Sequence, residues 1–181
     1  MTDPRLGRQP GDPSPKEMRA RMIRVDHAGE YGATRIYAGQ LAVLGRQHPL
    51  IRRMADQEQK HLDTFEKLMA ENRVRPTALS PIWHVAGFAL GAATALLGEK
   101  AAMACTEAVE SVIDEHYRRQ AETLEPGDET LKGTIEQFRA EEIEHKETAI
   151  AEGAHEAPAY PVLTSAIKQA SRLAIWLSER I

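Results

Sequence analysis

Two short stretches of the chain read alike. They are Glu58-Gln59-Lys60-His61-Leu62-Asp63-Thr64 and Glu142-Ile143-Glu144-His145-Lys146-Glu147-Thr148, both of the form E-x-x-H-x-[DE]-T. Residues three apart on a helix share a face, so each stretch offers a carboxylate and an imidazole side by side. Upstream of each stands a further carboxylate, in Ala28-Gly29-Glu30 and in Ala108-Val109-Glu110. Each of these is followed seven residues later by a tyrosine, Tyr37 and Tyr117. The order Glu, ExxH, Glu, ExxH supplies four carboxylates and two imidazoles, the donor set of a two-metal site inside a four-helix bundle. Hard oxygen donors with a few imidazoles suit iron, and by donor type alone they suit manganese equally.

A lone ExxH in a charged helix is commonly just a solvated face. The third copy in this chain, Glu152-Gly153-Ala154-His155, holds a glycine and stops before Pro158, and it is read as a decoy. The other two gain weight from their matching flanks and from the two upstream glutamates. Glu107 competes with Glu110 on nearly the same helix face. The repeat favours Glu110, which shares with Glu30 an alanine two positions before and a tyrosine seven positions after. Glu144 points off the ligand face. Histidine ligands need a partner on their second ring nitrogen, and Asp26, Asp114 and Glu141 are the candidates. Tyr37 and Tyr117 read as core residues with satisfied hydroxyls. Six such groups facing inward without metal would be costly, because buried unpaired carboxylates are strongly disfavoured.

The elements that must position these groups are helical. Ser14-Pro15-Lys16-Glu17 has the form of a helix start, and a helical pattern runs from there to about Leu44. Gly29 and Gly32 flank Glu30 within it, which predicts either a neighbour pressed against the backbone or a local kink. A second helix is expected from about Pro49 to Asn72, with Ile51, Met54, Leu62, Phe65 and Leu68 at helical spacing. A third long helix follows from about Glu99 to Thr123. After the turn Glu125-Pro126-Gly127-Asp128, a fourth runs from about Glu129 to Glu152. Residues Pro76 to Gly98 carry no Asp, Glu, Lys or Arg. Their core, 82–97, is marginal in length for a membrane span and is read as a helix lying in or dipping into a membrane surface, a buried core helix being the alternative. Ala157-Pro158-Ala159-Tyr160-Pro161 breaks the chain. A last amphipathic helix, 162–180, presents Leu163, Ile167, Ala170, Leu173, Ala174 and Leu177 on one side and Lys168, Arg172 and Arg180 as positive charge. The fold class expected is all-α: a four-helix bundle with two additional apolar or amphipathic helices, in one domain over 16–181, after a flexible segment over 1–15.

Length and composition agree with this. The chain has 181 residues, 42% hydrophobic and 28% charged, enough for one globular domain with a real core. The formal charge of −4 gives no reason to expect nucleic acid as a partner. A single cysteine, Cys105, excludes an internal disulfide and a Cys-rich metal site, and it reads as a small buried apolar residue. There is no strand pattern, no GxGxxG and no P-loop. Met1 to Pro15 lacks both an apolar signal core and a transit-peptide pattern, which places the chain in a cytosol unless a presequence has been removed.

Beyond the ligand motifs, Asp26-His27-Ala28-Gly29-Glu30-Tyr31-Gly32-Ala33 and Arg35-Ile36-Tyr37-Ala38-Gly39-Gln40 resemble the demethoxyubiquinone hydroxylase family. So do Arg73-Val74-Arg75-Pro76-Thr77, Gly87-Phe88-Ala89-Leu90-Gly91, Ala102-Met103-Ala104-Cys105-Thr106 and Leu177-Ser178-Glu179-Arg180. The resemblance covers residues 21 to 181 and implies a ferritin-like, carboxylate-bridged di-iron monooxygenase of ubiquinone biosynthesis. Such enzymes use O2 to hydroxylate a polyprenylated methoxy-methyl-benzoquinol at its last unmodified ring carbon.

By the same resemblance the two irons are held by Glu30, Glu58, His61, Glu110, Glu142 and His145, with no departure from the family's ligand pattern. Arg21, His116 and Tyr117 are implied to serve substrate contact or electron delivery near the site. A surface structural role for His116 stays open beside that one. The electrons are expected from NADH docking at the surface, a separate reductase or the quinone pool. A tailed quinol lives in a membrane, so a membrane surface is an expected partner. Other subunits of a ubiquinone-biosynthesis complex are further candidates. The expected location is peripheral, on the cytoplasmic face of a bacterial inner membrane or the matrix face of a mitochondrial one. The competing reading is an iron-handling ferritin-like protein.

Overall fold

The computed structural model describes residues 12–124 and 126–181, and these contain helices and turns but no strand. Six α-helices follow one another: α1 Pro15–Leu44, α2 Pro49–Asn72, α3 Ser80–Leu96, α4 Glu99–Thr123, α5 Glu129–Ala151 and α6 Tyr160–Ser178. A short 3-10 turn, Ala154–Glu156, precedes the last. The flexible segment expected over 1–15 falls outside the described residues up to residue 11. Ser14 and Pro15 already belong to the start of α1.

Local signals set the helix ends. Ser14 caps α1 in a reciprocal box: its hydroxyl accepts from the Glu17 N–H at 3.3 Å, and the Glu17 carboxylate accepts from the Ser14 N–H at 2.7 Å. Gly45, at φ 109°, ends α1, and Gly98, at φ 110°, lets the chain turn into α4. Pro161 does not break the chain as its type suggested. It occupies the first turn of α6, where a missing N–H costs nothing.

Helices α1 and α2 form one antiparallel hairpin, α4 and α5 the other, and the two hairpins make the four-helix bundle expected from the ligand order. The buried stripe of α2 is Ile51, Met54, Glu58, His61, Phe65 and Met69, and that of α5 is Leu131, Ile135, Phe138, Glu142, His145 and Ala149. In both, spacings of three and four keep one face inward, and the ExxH pair takes two successive core positions. The polar groups therefore form a layer inside an otherwise apolar bundle. Tyr37, Leu41, Ile51, Met54 and Met103 pack on one side of it. Ile23, Phe65, Tyr117, Ile135 and Phe138 pack on the other.

The apolar helix α3 lies along α1, and α6 lies along α4. The α1–α3 contact is backbone to backbone. A β-carbon at Gly91 would overlap the Ile36 carbonyl, and one at Gly87 would come within 2.9 Å of the Gly32 carbonyl oxygen. The two glycines flanking Glu30 are not themselves pressed: a β-carbon at Gly29 would meet only the Ile113 side chain at 3.8 Å and one at Gly32 nothing within 4 Å, and α1 runs through both without a kink, so neither expected reason for them is met. The closest approaches, at Gly39 and Gly91, carried no signal in the spacing of ligands. Trp83 Nε1 donates to Ser178 Oγ at 3.0 Å, and Thr77 Oγ1 donates to the Ile181 carbonyl at 3.0 Å, which ties the end of α6 to the start of α3. Cys105 is fully buried, with its thiol pushed up to about 12 by burial, an inert core residue as read.

Candidate metal centre

The six residues of the Glu, ExxH, Glu, ExxH series converge at the middle of the bundle, every one of them buried. Their donor atoms fall into two groups, each within 4.8 Å: Glu30, Glu58, His61 and Glu142 in one, Glu58, Glu110, Glu142 and His145 in the other. Glu58 and Glu142 belong to both. Glu30 with His61, and Glu110 with His145, belong to one each. Such a division offers two shared carboxylates between two positions, with one carboxylate and one imidazole at each end.

Both histidines turn the same nitrogen inward. His61 Nδ1 lies 3.0 Å from Glu142 and 3.4 Å from Glu30, and His145 Nδ1 lies 3.0 Å from Glu58 and 3.1 Å from Glu142. The outer nitrogens have partners of their own. His61 Nε2 donates to Glu141 Oε2 at 2.8 Å, and His145 Nε2 donates to Gln57 Oε1 at 3.2 Å. A second-nitrogen partner fixes ring orientation and leaves Nδ1 as the inward donor.

Of the partners expected from the sequence, Glu141 is in place and two are not. Asp26 bonds His116 at 3.1 Å and Gln120 at 2.8 Å, one helical turn from Glu30. Asp114 pairs with Arg139 at 2.7 Å, because its position on α4 faces α5's outer edge. Gln57 was missed, although it precedes Glu58 just as Glu141 precedes Glu142. Glu107 takes no part in the cluster: both its oxygens accept from the Tyr160 hydroxyl at 2.8 Å, anchoring the start of α6. The decoy His155 is exposed and 3.6 Å from Glu107.

The two tyrosines cross over. Tyr37, on the helix of Glu30, donates to Glu110 at 3.3 Å, and Tyr117, on the helix of Glu110, donates to Glu30 through a short hydrogen bond. Burial, then the neighbouring carboxylates, raises both phenols well above 10, so each keeps its proton and remains a donor.

The electrostatics of the cluster are those of groups waiting to be neutralised. Burial raises Glu30, and burial with the charge of Glu142 raises Glu58 and Glu110. Burial also opposes ionisation of Glu142, but hydrogen bonds from His145 and His61 outweigh it and hold that carboxyl at about 2. Burial works against charge on the histidines, yet bonds to Glu142, Glu30 and Glu58 push His61 up to about 12 and His145 to about 9. On the surface side, burial would raise Glu141, but bonds from His61 and Gln137 keep it below the usual range.

Two buried atoms inside the cluster, Glu58 Oε1 and His61 Nδ1, lack a well-aligned hydrogen bond despite these close approaches. Buried polar atoms are rarely left so. Both aim at the shared space, and the donors around it are carboxylate oxygens and imidazole nitrogens. The residues therefore fit a pair of divalent or trivalent ions.

Two hollows lie outside the cluster, each lined in part by residues of α1 and α4. An apolar one of about 160 Å3 runs between α1, α3, α4 and α6, past Gly29, Ala33, Gly87, Val109 and Ile175. A larger groove, about 530 Å3, is lined by Arg21, His116, Arg119, Arg172, Trp176 and Arg180 among others. His116 stands at its inner wall beside Tyr117, and Arg21 at its rim. Of these arginines, Arg172 and Arg180 read in the sequence as positive charge on the last helix, and Arg119 of α4, more than fifty positions earlier, was not singled out.

Fold and centre together define a ferritin-like helical bundle built around a carboxylate–imidazole cluster suited to two metal ions. The chain belongs to the family described as Ubiquinone biosynthesis protein COQ7, whose model matches residues 17–178. It is 59% identical over 177 residues to a Rhodospirillum rubrum protein named 3-demethoxyubiquinol 3-hydroxylase, covering 96% of this chain and 84% of that one. A Homo sapiens relative named NADPH-dependent 3-demethoxyubiquinone 3-hydroxylase, mitochondrial, is 56% identical over 167 residues, covering 89% and 77%. A Saccharomyces cerevisiae relative named 5-demethoxyubiquinone hydroxylase, mitochondrial, is 46% identical over 180 residues, covering 89% and 77%. The family resemblance expected from the motifs around Glu30 is thereby established.

Proposed function

We propose that this chain hydroxylates a polyprenylated demethoxyubiquinol with O2, at two iron ions held by Glu30, Glu58, His61, Glu110, Glu142 and His145. The observation that carries the reading is the buried, doubly shared cluster in a chain 59% identical to a protein named as that hydroxylase. The iron pair, when bound, supplies O2 activation and the electrons for it. The protein's part is to bind, orient and exclude water.

The apolar hollow suits a quinol ring and the first units of its tail. Its walls are mainly glycines, alanines and aliphatic groups from α1, α3, α4 and α6, with Trp83, Ser171 and Ser178 among them, and they include Gly29 and Val109, the chain neighbours of Glu30 and Glu110. Among its few polar side chains, Ser178 is already engaged by the Trp83 indole N–H at 3.0 Å. Tyr117 and Tyr37 hold Glu30 and Glu110 by donated hydrogen bonds, so neither carboxylate swings into the ring's space.

Reducing equivalents reach the cluster from the arginine-lined groove. Arg21, Arg119, Arg172 and Arg180 suit the phosphates of NADH or NADPH, and Trp176 offers a face for a flat ring. His116 and Tyr117 lead inward from there to Glu30. The human relative's name specifies NADPH for that protein.

A tailed substrate requires contact with a lipid surface. No described helix is long and apolar enough to cross a membrane. Instead α3 and α6 leave large apolar groups outward: Val85 is 67% exposed, Leu96 75%, Val162 72% and Trp176 51%. These helices flank the apolar hollow, so binding at a bilayer surface would bring lipid to its mouth. We therefore propose a peripheral protein on the cytoplasmic face of a bacterial inner membrane, or on the matrix face of a mitochondrial one, with other subunits of a ubiquinone-biosynthesis complex as candidate partners.

The test is anaerobic reconstitution of the purified chain with Fe(II), followed by a short-tailed demethoxyquinol, NADH and O2, with product read by mass spectrometry. Gain of one oxygen atom by the ring, lost with the second iron in Glu142→Ala, is the expected result. Iron uptake far beyond two per chain without a hydroxylated product would replace this reading with iron handling.

A further inference from the structure

The centre is two-fold in its ligands but not in what stands behind them. Each end has one glutamate, one histidine and one tyrosine donating to the glutamate, and the two shared carboxylates are both glutamates. Behind His61 stands the carboxylate of Glu141, at 2.8 Å. Behind His145, at the corresponding place in the repeat, stands the neutral amide oxygen of Gln57, at 3.2 Å. Both are half-buried and reach across from the opposite hairpin, Glu141 from α5 to α2 and Gln57 from α2 to α5. A carboxylate accepting the outer N–H draws that proton strongly and makes the inner nitrogen a better electron donor. An amide does so far less. Glu141 is itself fixed by Gln137 at 3.0 Å, which holds its other oxygen away from the ring.

We propose that Glu141 and Gln57 are positioning residues that make the two metal positions inequivalent, the one beside His61 holding its ion more tightly than the one beside His145. The proposal rests on the metal-pair reading of the cluster. Its consequence is order. The His61 position fills first and favours the more oxidised ion, while the His145 position stays the more electron-poor of the two and the readier to exchange an outer ligand.

The test is an anaerobic titration of the full-length, chelator-stripped chain with Co(II), followed by visible absorption and calorimetry. Wild type is expected to bind two ions in steps separated by about ten-fold or more, the usual size of such outer hydrogen-bond effects on metal affinity. Gln57→Glu should raise the weaker step toward the tighter one. Glu141→Gln should lower the tighter step toward the weaker one. The charge-conserving double exchange, Gln57→Glu with Glu141→Gln, should restore two separate steps. Mössbauer spectra of the 57Fe(II)-loaded proteins should show two doublets in wild type and the double exchange, drawing together in each single variant. A separation unchanged across the four proteins, or two equivalent steps in wild type, overturns the proposal. Fewer than two Co(II) per wild-type chain would instead overturn the metal-pair reading itself. Both positions are partly exposed, and if one variant does not fold the other decides.

Discussion

At the residue scale, the cluster's behaviour follows from Glu142, which sits between both imidazoles and carries the charge they share. Its carboxyl is held at about 2, while His61 is held at about 12 and His145 at about 9. Burial raises Glu30, Glu58, Glu110 and Asp26 from their ordinary values of 4.5 and 3.8. Groups raised on folding contribute stability that is fully present below their unfolded pKa and is lost as pH climbs toward the folded one. Glu142 works the other way, contributing above 4.5 and losing its share as pH falls toward 2. The raised groups outnumber it. Protein stripped of metal by a chelator should therefore melt at progressively lower temperature from about pH 5 to about pH 9. Metal ions take the place of the bound protons, so the melting gap between loaded and stripped protein should widen over the same range. Thermal melts at several pH values, with and without chelator, check both trends. A stripped protein that gains stability with pH would contradict this account of the cluster.

At the element scale, the decisive contact is α3 on α1. Glycines at 39, 87 and 91 let the two backbones touch, and the apolar hollow beside Glu30 is walled by that contact. Replacing Gly91 by alanine would force a β-carbon into the Ile36 carbonyl, which lies in backbone and cannot step aside as a flexible side chain could. Overpacking of this kind typically costs about 1–3 kcal/mol. Gly91→Ala should lower the melting temperature and disturb quinol turnover more than metal content, because the clash falls on Ile36 of α1 and five of the six cluster residues, all but Glu30, stand on α2, α4 and α5. Gly133→Ala, on α5, meets open space and serves as the control. Equal losses in both variants would mean that the contact has no special weight.

At the scale of the whole molecule, the two added helices give the bundle an exposed apolar side, which under the proposed function faces lipid. Val85 and Leu96 on α3, and Val162, Leu173 and Trp176 on α6, are exposed, and both helices also wall the hollow. Liposome flotation should recover wild-type protein with the vesicles. Val85→Glu combined with Trp176→Glu should leave most of it in solution, with the melting temperature nearly unchanged, since neither side chain is part of the core. Flotation unaffected by both changes would remove this face as the membrane contact.

The sequence by itself determined the donors and their carriers. Helix periodicity is a local property, so Glu58 with His61, and Glu142 with His145, had to share faces. Punctuation by proline and glycine set α1, α2 and α4 to their observed ends. The repeat singled out Glu110 over Glu107, and the structure sends Glu107 to Tyr160. What needed the tertiary structure is every relation across hairpins. Tyr37 reaching Glu110, Tyr117 reaching Glu30 and Gln57 standing behind His145 join residues 73, 87 and 88 positions apart. No spacing rule spans such distances, because they depend on which helix faces which. The same holds for α3. Its lack of charge allowed a membrane-surface helix or a core helix, and packing left it two-sided, with Gly91, Thr94 and Ala95 buried on one side and Val85 and Leu96 exposed on the other.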